Sequence, residues 1–127
     1  VSDTIRPWCF IGKRRLERAQ AQRPELQVEI GWRPFQLNPD MPREGMDRAE
    51  YMALKFGSPE QVVRVHEPLL RYAEAAGAEL NLSAITRTPN TLDAHRLIHW
   101  AGLEGRQTPM VSALFRAYWR GHSGARQ

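Results

Sequence analysis

Apolar residues recur at helical spacing along most of this chain. From Pro7, the residues Phe10, Ile11, Leu16 and Ala19 are interleaved with Lys13, Arg14, Arg15, Glu17 and Arg18, which predicts an amphipathic helix over about residues 7–22. Tyr51, Met52, Leu54 and Phe56 predict a short helix closed by Gly57, and Ser58-Pro59-Glu60-Gln61 opens the next with a capping-box arrangement. That helix carries Val62, Val63, Val65, Leu69, Leu70, Tyr72 and Ala76 to Gly77, with a kink or interruption expected at Pro68, which has no amide to donate. Two more helices are predicted, Leu92–Gly102 after the cap-rich Thr88-Pro89-Asn90-Thr91, and Gln107–Trp119 with Met110, Val111, Leu114, Phe115 and Tyr118 on one face.

The strand pattern is sparser. Gln27-Val28-Glu29-Ile30 alternates polar and apolar, and with Gly31 to Phe35 it predicts a strand. Val1 to Ile5 reads as the end of a buried strand, and Leu80-Asn81-Leu82 as a short extended piece. Gln36 to Gly45, with two prolines and a glycine, reads as an ordered loop. The resulting order is strand fragment, helix, strand, loop and four helices. A single full strand has nothing to pair with, so strands of the parent fold are expected to be missing from the chain.

The 127 residues suit one domain, and shares of 42% hydrophobic and 25% charged are those of a globular chain without a membrane span. No signal-peptide pattern opens the sequence, although its abrupt start leaves room for residues lost upstream. One cysteine, Cys9, cannot make an intramolecular disulfide, which agrees with a reducing compartment and makes the cytoplasm the expected location. Sixteen arginines against two lysines give a net charge of +4, yet the cations mostly alternate with acids and read as solvated faces. Neither nucleic acid nor membrane is an expected partner.

Chemistry concentrates in Thr4-Ile5-Arg6-Pro7-Trp8-Cys9-Phe10. Cys9 falls in the first turn of the first predicted helix, where unpaired amides and the nearby Arg6, Lys13 and Arg14 favour a thiolate. The alternative is a small apolar residue on the core side of that helix. Pro-Trp-Cys looks like the second half of a Cys-x-x-Cys motif whose first position holds Arg6. Arginine is no nucleophile, so Arg6 marks either loss of the site or a cation for an anionic substrate. His95 and His99, four apart, share a helix face but have no third ligand in sight, so no metal site is expected. Asn90 and Thr91 read most economically as a helix cap.

Four segments together, "SDTIRPWCFIGKRRLERA", "VEIGWRPFQLNPDMPREGMDRAEYMALKFGS", "TRTPNTLDAHRLIHWAG" and "GRQTPMVSALFRAYW", resemble the DsbA-type thioredoxin-fold proteins, in particular the FrnE-like branch of thiol-disulfide oxidoreductases. The resemblance covers residues 2–119. It implies an α/β, thioredoxin-like fold with an inserted helical domain, mostly helical here because strands are missing. The implied divisions are 1–40 for the N-terminal strand-helix-strand part, 41–120 for the helical insertion and 121–127 for a polar tail. It also implies catalysis at Cys9, with Pro7 and Trp8 of the motif retained and Arg6 in place of the attacking cysteine. Asp3 and the loop from Pro34 to Pro39 match segments near the family's site, and Asn38, Pro39, Asn90 and Thr91 become candidate substrate-binding residues.

The expected activity is thiol-disulfide exchange, through one thiol or lost altogether, with protein thiols and disulfides or glutathione as partners. No cofactor is expected beyond glutathione as a thiol partner. Two alternatives stay open: a glutathione-dependent isomerase or kappa-class glutathione transferase, and a catalytically dead fragment that binds partners. An unpaired sheet edge would also invite dimerisation.

Overall fold

The computed structural model describes residues 1–120, and the polar tail expected over 121–127 lies outside the described residues. Helix α1 spans Pro7–Gln22, with Pro7 at its first position, where no amide partner is needed. A two-residue strand β1, Met46–Asp47, leads into α2, Arg48–Phe56. Helix α3 spans Pro59–Ala76, a 3₁₀ turn covers Leu82–Ala84, and β2, Arg87–Thr88, precedes α4, Leu92–Leu103, and α5, Gln107–Trp119.

Local side chains set the helix ends. Asp47 accepts from the Glu50 amide at 3.1 Å and Ser58 from the Gln61 amide at 3.2 Å. Gly77, at φ 72°, closes α3 in the left-handed conformation that glycine adopts without steric cost. Arg14 and Arg18 cross to α3 and donate to the carbonyls of Gly77 and Ala75 at 3.2 and 2.6 Å, where free carbonyls and the helix dipole favour cations. Pro68 does not interrupt α3, which is continuous across it. Leu69, Ala73 and Ala76 on either side of the following turns are buried in the core and hold the helix in place.

One hydrophobic core joins the N-terminal segment to the later helices. Ile5, Phe10 and Ile11 pack with Leu69, Ala73 and Ala76 of α3, Ile98 of α4, and Val111, Phe115 and Trp119 of α5. Phe10 and Phe115 stack at 5.3 Å between ring centroids. Trp119 is 1% exposed, and its indole N–H donates to the Thr4 carbonyl at 3.0 Å, fastening α5 under the N-terminal strand segment.

Sheet structure departs from the sequence reading in three places. The expected strand over 27–35 forms only one parallel bridge, Ser2 to Pro34, with the Ser2 amide bonded to the Arg33 carbonyl and the Phe35 amide to the Ser2 carbonyl. Two parallel segments without further neighbours make a weak ladder, and Pro34 has no amide to extend it. The backbone of Trp32 is instead held by the Gln107 side chain, at 2.8 Å from its amide and 3.1 Å from its carbonyl. Leu80–Leu82 is no strand: it runs into the 3₁₀ turn, with the Asn81 amide on the Trp119 carbonyl at 2.7 Å. The antiparallel pair lies elsewhere, Met46 opposite Thr88 and Asp47 opposite Arg87.

Candidate active site around Cys9 and the buried Asp3

Extended backbone at Arg6 feeds straight into α1 and puts Cys9 at its third position. The Cys9 amide donates to the Arg6 carbonyl at 3.0 Å, and the Arg6 amide to the Asp3 carbonyl at 3.2 Å, so the strand end, the entry turn and the thiol form one hydrogen-bonded run. Cys9 is half-buried, with its inner side against the core. Trp8 beside it is 45% exposed and meets Tyr72 of α3 edge-on at 5.5 Å, while Arg15 covers the Tyr72 ring at 5.2 Å. Trp8, Tyr72 and Arg15 thus form one partly exposed aromatic cluster next to Cys9 in sequence. Arg6 is half-buried and its side chain makes no hydrogen bond or ion pair among the described residues.

Beneath this run lies Asp3, fully buried. Its Oδ2 accepts from the Leu37 amide at 2.7 Å and from the Thr91 hydroxyl at 3.1 Å, and its Oδ1 lies 3.1 Å from His95 Nε2. A carboxylate so placed is tolerable only because its oxygens are this fully engaged. One side chain therefore ties the N-terminal strand segment to the loop after Pro34 and to the start of α4.

Of the residues singled out for substrate binding, Thr91 bonds directly to this carboxylate, and the others are held by neighbouring loops and helices. Asn90 accepts from Gln36 Nε2 at 3.2 Å and from the Leu92 amide at 2.9 Å, and donates to the Met41 carbonyl at 2.8 Å. Asn90 accepts the first amide of α4 from the position before the cap residue Thr91, whose own hydroxyl is spent on Asp3 and makes no cap bond. Asn38 donates to the Tyr51 hydroxyl at 3.0 Å, and Pro39 is exposed on the wall of a 470 Å³ cleft shared with Tyr51 and Leu54. The polar groups of Asn38, Asn90 and Thr91 are thus bonded within the protein.

His95 and His99 do not act as a pair. His95 is buried against Asp3 and His99 is exposed one turn on, and the described residues contain no cluster of three side chains suited to a metal ion. The Asp3–His95 bond itself escapes sequence reading; the one signal is a histidine in line with the apolar Ile98 and Ala101, a buried face on which a ring nitrogen needs a partner. On the far side of α1, burial pushes the Glu17 carboxyl up, but hydrogen bonds and charge from Lys13 and Arg14 outweigh it and hold the group below its ordinary 4.5. Burial raises the Tyr118 phenol, with the Arg48 cation opposing; the hydroxyl donates to the Arg87 carbonyl at 3.3 Å.

Comparison with known proteins bears on the family and the fold. Residues 1–125 match the family described as DSBA-like thioredoxin domain. The uncharacterized protein YwbO of Bacillus subtilis is 26% identical over 119 residues, 94% of this chain and 54% of that protein. A crystal structure of the probable DsbA oxidoreductase SCO1869 from Streptomyces coelicolor superposes with a TM-score of 0.76 at 31% identity, over 94% of this chain and 52% of that one. The chain thus spans about half the length of the relatives it matches. The fold is the DsbA-like thioredoxin fold, mostly helical, with a small two-stranded sheet. None of the described helices is long and apolar enough to cross a membrane.

Proposed function

Because this chain belongs to the DSBA-like thioredoxin domain family, we propose that it exchanges thiols and disulfides through a single sulfur, that of Cys9. The observation that carries this reading is the position of Cys9: third residue of α1, half-buried, with Trp8 before it and Arg6 in its entry turn. The Cys9 thiolate attacks one sulfur of a disulfide; a new S–S bond forms, the old one breaks, and the expelled thiolate takes up a proton. With Arg6 where a second thiol would stand, no internal resolution follows. A second thiol molecule, glutathione or a protein cysteine, then attacks the mixed disulfide and releases Cys9. The substrate disulfide is the oxidant and the incoming thiol the reductant, so no cofactor is needed.

On this reading the protein is a FrnE-like member of its family, divided near residue 40 between a thioredoxin-like part and a helical insertion. A reducing compartment such as the cytoplasm would supply the thiol that regenerates it. Asp3 and Asn90 hold the loop after Pro34 and the start of α4 in register with the thiol-bearing run, and are positioning residues.

The test is treatment of the folded chain with glutathione disulfide. Intact-mass analysis should show one added glutathionyl group, removed by dithiothreitol and absent from Cys9→Ser. A chain left unmodified while folded overturns the proposal.

A further inference from the structure

A cleft of about 560 Å³ lies between α2 and α3, and none of its lining residues belongs to α1 or to the Cys9 surface. Its walls are apolar, formed chiefly by Met52, Val62, Val63 and Ile85, and two basic residues, Arg48 and His66, are part of its lining; the Arg48 side chain also reaches the neutral Tyr118 hydroxyl. Arg48 starts α2 and is held by its backbone, the amide donating to the Thr86 carbonyl at 2.8 Å. Its guanidinium has no carboxylate within ion-pair distance among the described residues. Asp47 also lines the cleft, but its carboxylate is engaged by the Glu50 amide as the cap of α2. Burial and then the Arg48 charge hold the His66 imidazole below its ordinary 6.5, leaving it neutral at physiological pH, with one nitrogen to donate and one to accept.

A space of this size suits a small organic ligand, and few polar groups on apolar walls are the usual build of such a site. Charge selects the ligand class. A neutral hydrocarbon would cover Arg48 without giving its charge a partner, which costs free energy. A nucleotide would press several negative charges against apolar walls. One negative group at the end of an apolar body meets neither penalty. We propose that the cleft between α2 and α3 binds an amphipathic monoanion, its apolar body along Met52, Val62, Val63 and Ile85 and its carboxylate at Arg48 within reach of His66. This site is separate from Cys9 chemistry and does not depend on it.

The test is displacement of the fluorescent probe anilinonaphthalene sulfonate from the folded chain by decanoate and by its neutral isostere decanamide. Decanoate should displace the probe saturably and at least tenfold more tightly than decanamide. Arg48→Gln should abolish that preference by weakening decanoate alone. Val63→Glu puts a carboxylate at a position 65% exposed and should weaken decanoate more than decanamide; it carries the test should Arg48→Gln fail to fold. Cys9→Ser should bind as the unaltered chain does. Equal affinity for the acid and the amide, wild-type binding by Val63→Glu, or a second copy of the chain covering the cleft in sedimentation and excluding the probe, would each overturn the proposal.

Discussion

Asp3 and His95 lie 92 residues apart in sequence and meet at 3.1 Å, with the carboxylate wholly shut off from solvent. Around this one bond the N-terminal strand segment, the loop at Leu37 and the first turns of α4 are joined. Cutting the carboxylate away leaves the Leu37 amide, the Thr91 hydroxyl and a histidine nitrogen buried and unpaired. Asp3→Ala should therefore destabilise the chain by about 3 kcal/mol, the usual scale for removing one partner of a buried charged network. Urea denaturation followed by circular dichroism measures this, and a loss below about 1 kcal/mol would mean that the cluster is not a structural node.

Arg6 is the departure from the dithiol pattern, and its replacement is informative. It precedes the first residue of α1 with extended backbone and an unpaired side chain, so a smaller residue fits there without loss of a bond. Arg6→Cys should pair with Cys9 on oxidation, consuming both free thiols in a colorimetric thiol assay, and should reduce insulin faster than the unaltered chain. If both thiols stay titratable after oxidation, the entry turn of α1 does not hold the two positions in bridging geometry.

His66 makes stability depend on pH in a defined direction. Burial, and then the neighbouring Arg48, depress its folded value below 6.5. The unfolded chain therefore takes up this proton first as the pH falls. The contribution is fully present above the unfolded value and is lost as the pH drops through 6.5 toward the folded value. Between about pH 7.5 and about pH 5 the urea midpoint of the unaltered chain should fall further than that of His66→Gln. Parallel falls in the two proteins would show that another group sets the pH dependence.

Helix positions were open to sequence reading because their signals are local. The bounds expected for α1 and α5 coincide with those observed, and the Ser58 cap acts where the cap residue stands. The β1–β2 pair was not open to it: two-residue strands show no period, and what brings Met46 opposite Thr88 is the packing of the helices around them. At the site, the residue types clustered at Arg6, Trp8 and Cys9 were enough to place the thiol. Thr91 was legible as a cap but is drawn instead to Asp3, a partner 88 residues away that no local pattern names. Pro68 shows the same override, since tertiary burial keeps α3 continuous where local propensity argues for a break.

The reactivity of Cys9 in the folded chain relative to the unfolded one decides whether this position is built for chemistry or for packing. The measurement is the rate of alkylation by iodoacetamide at neutral pH, with and without denaturing urea, read by intact mass. Modification of the folded chain without urea is the expected result, because Cys9 is only half-buried in the first turn of α1. Protection in the folded state and modification only on unfolding would make Cys9 a core residue and contradict the proposed thiol exchange.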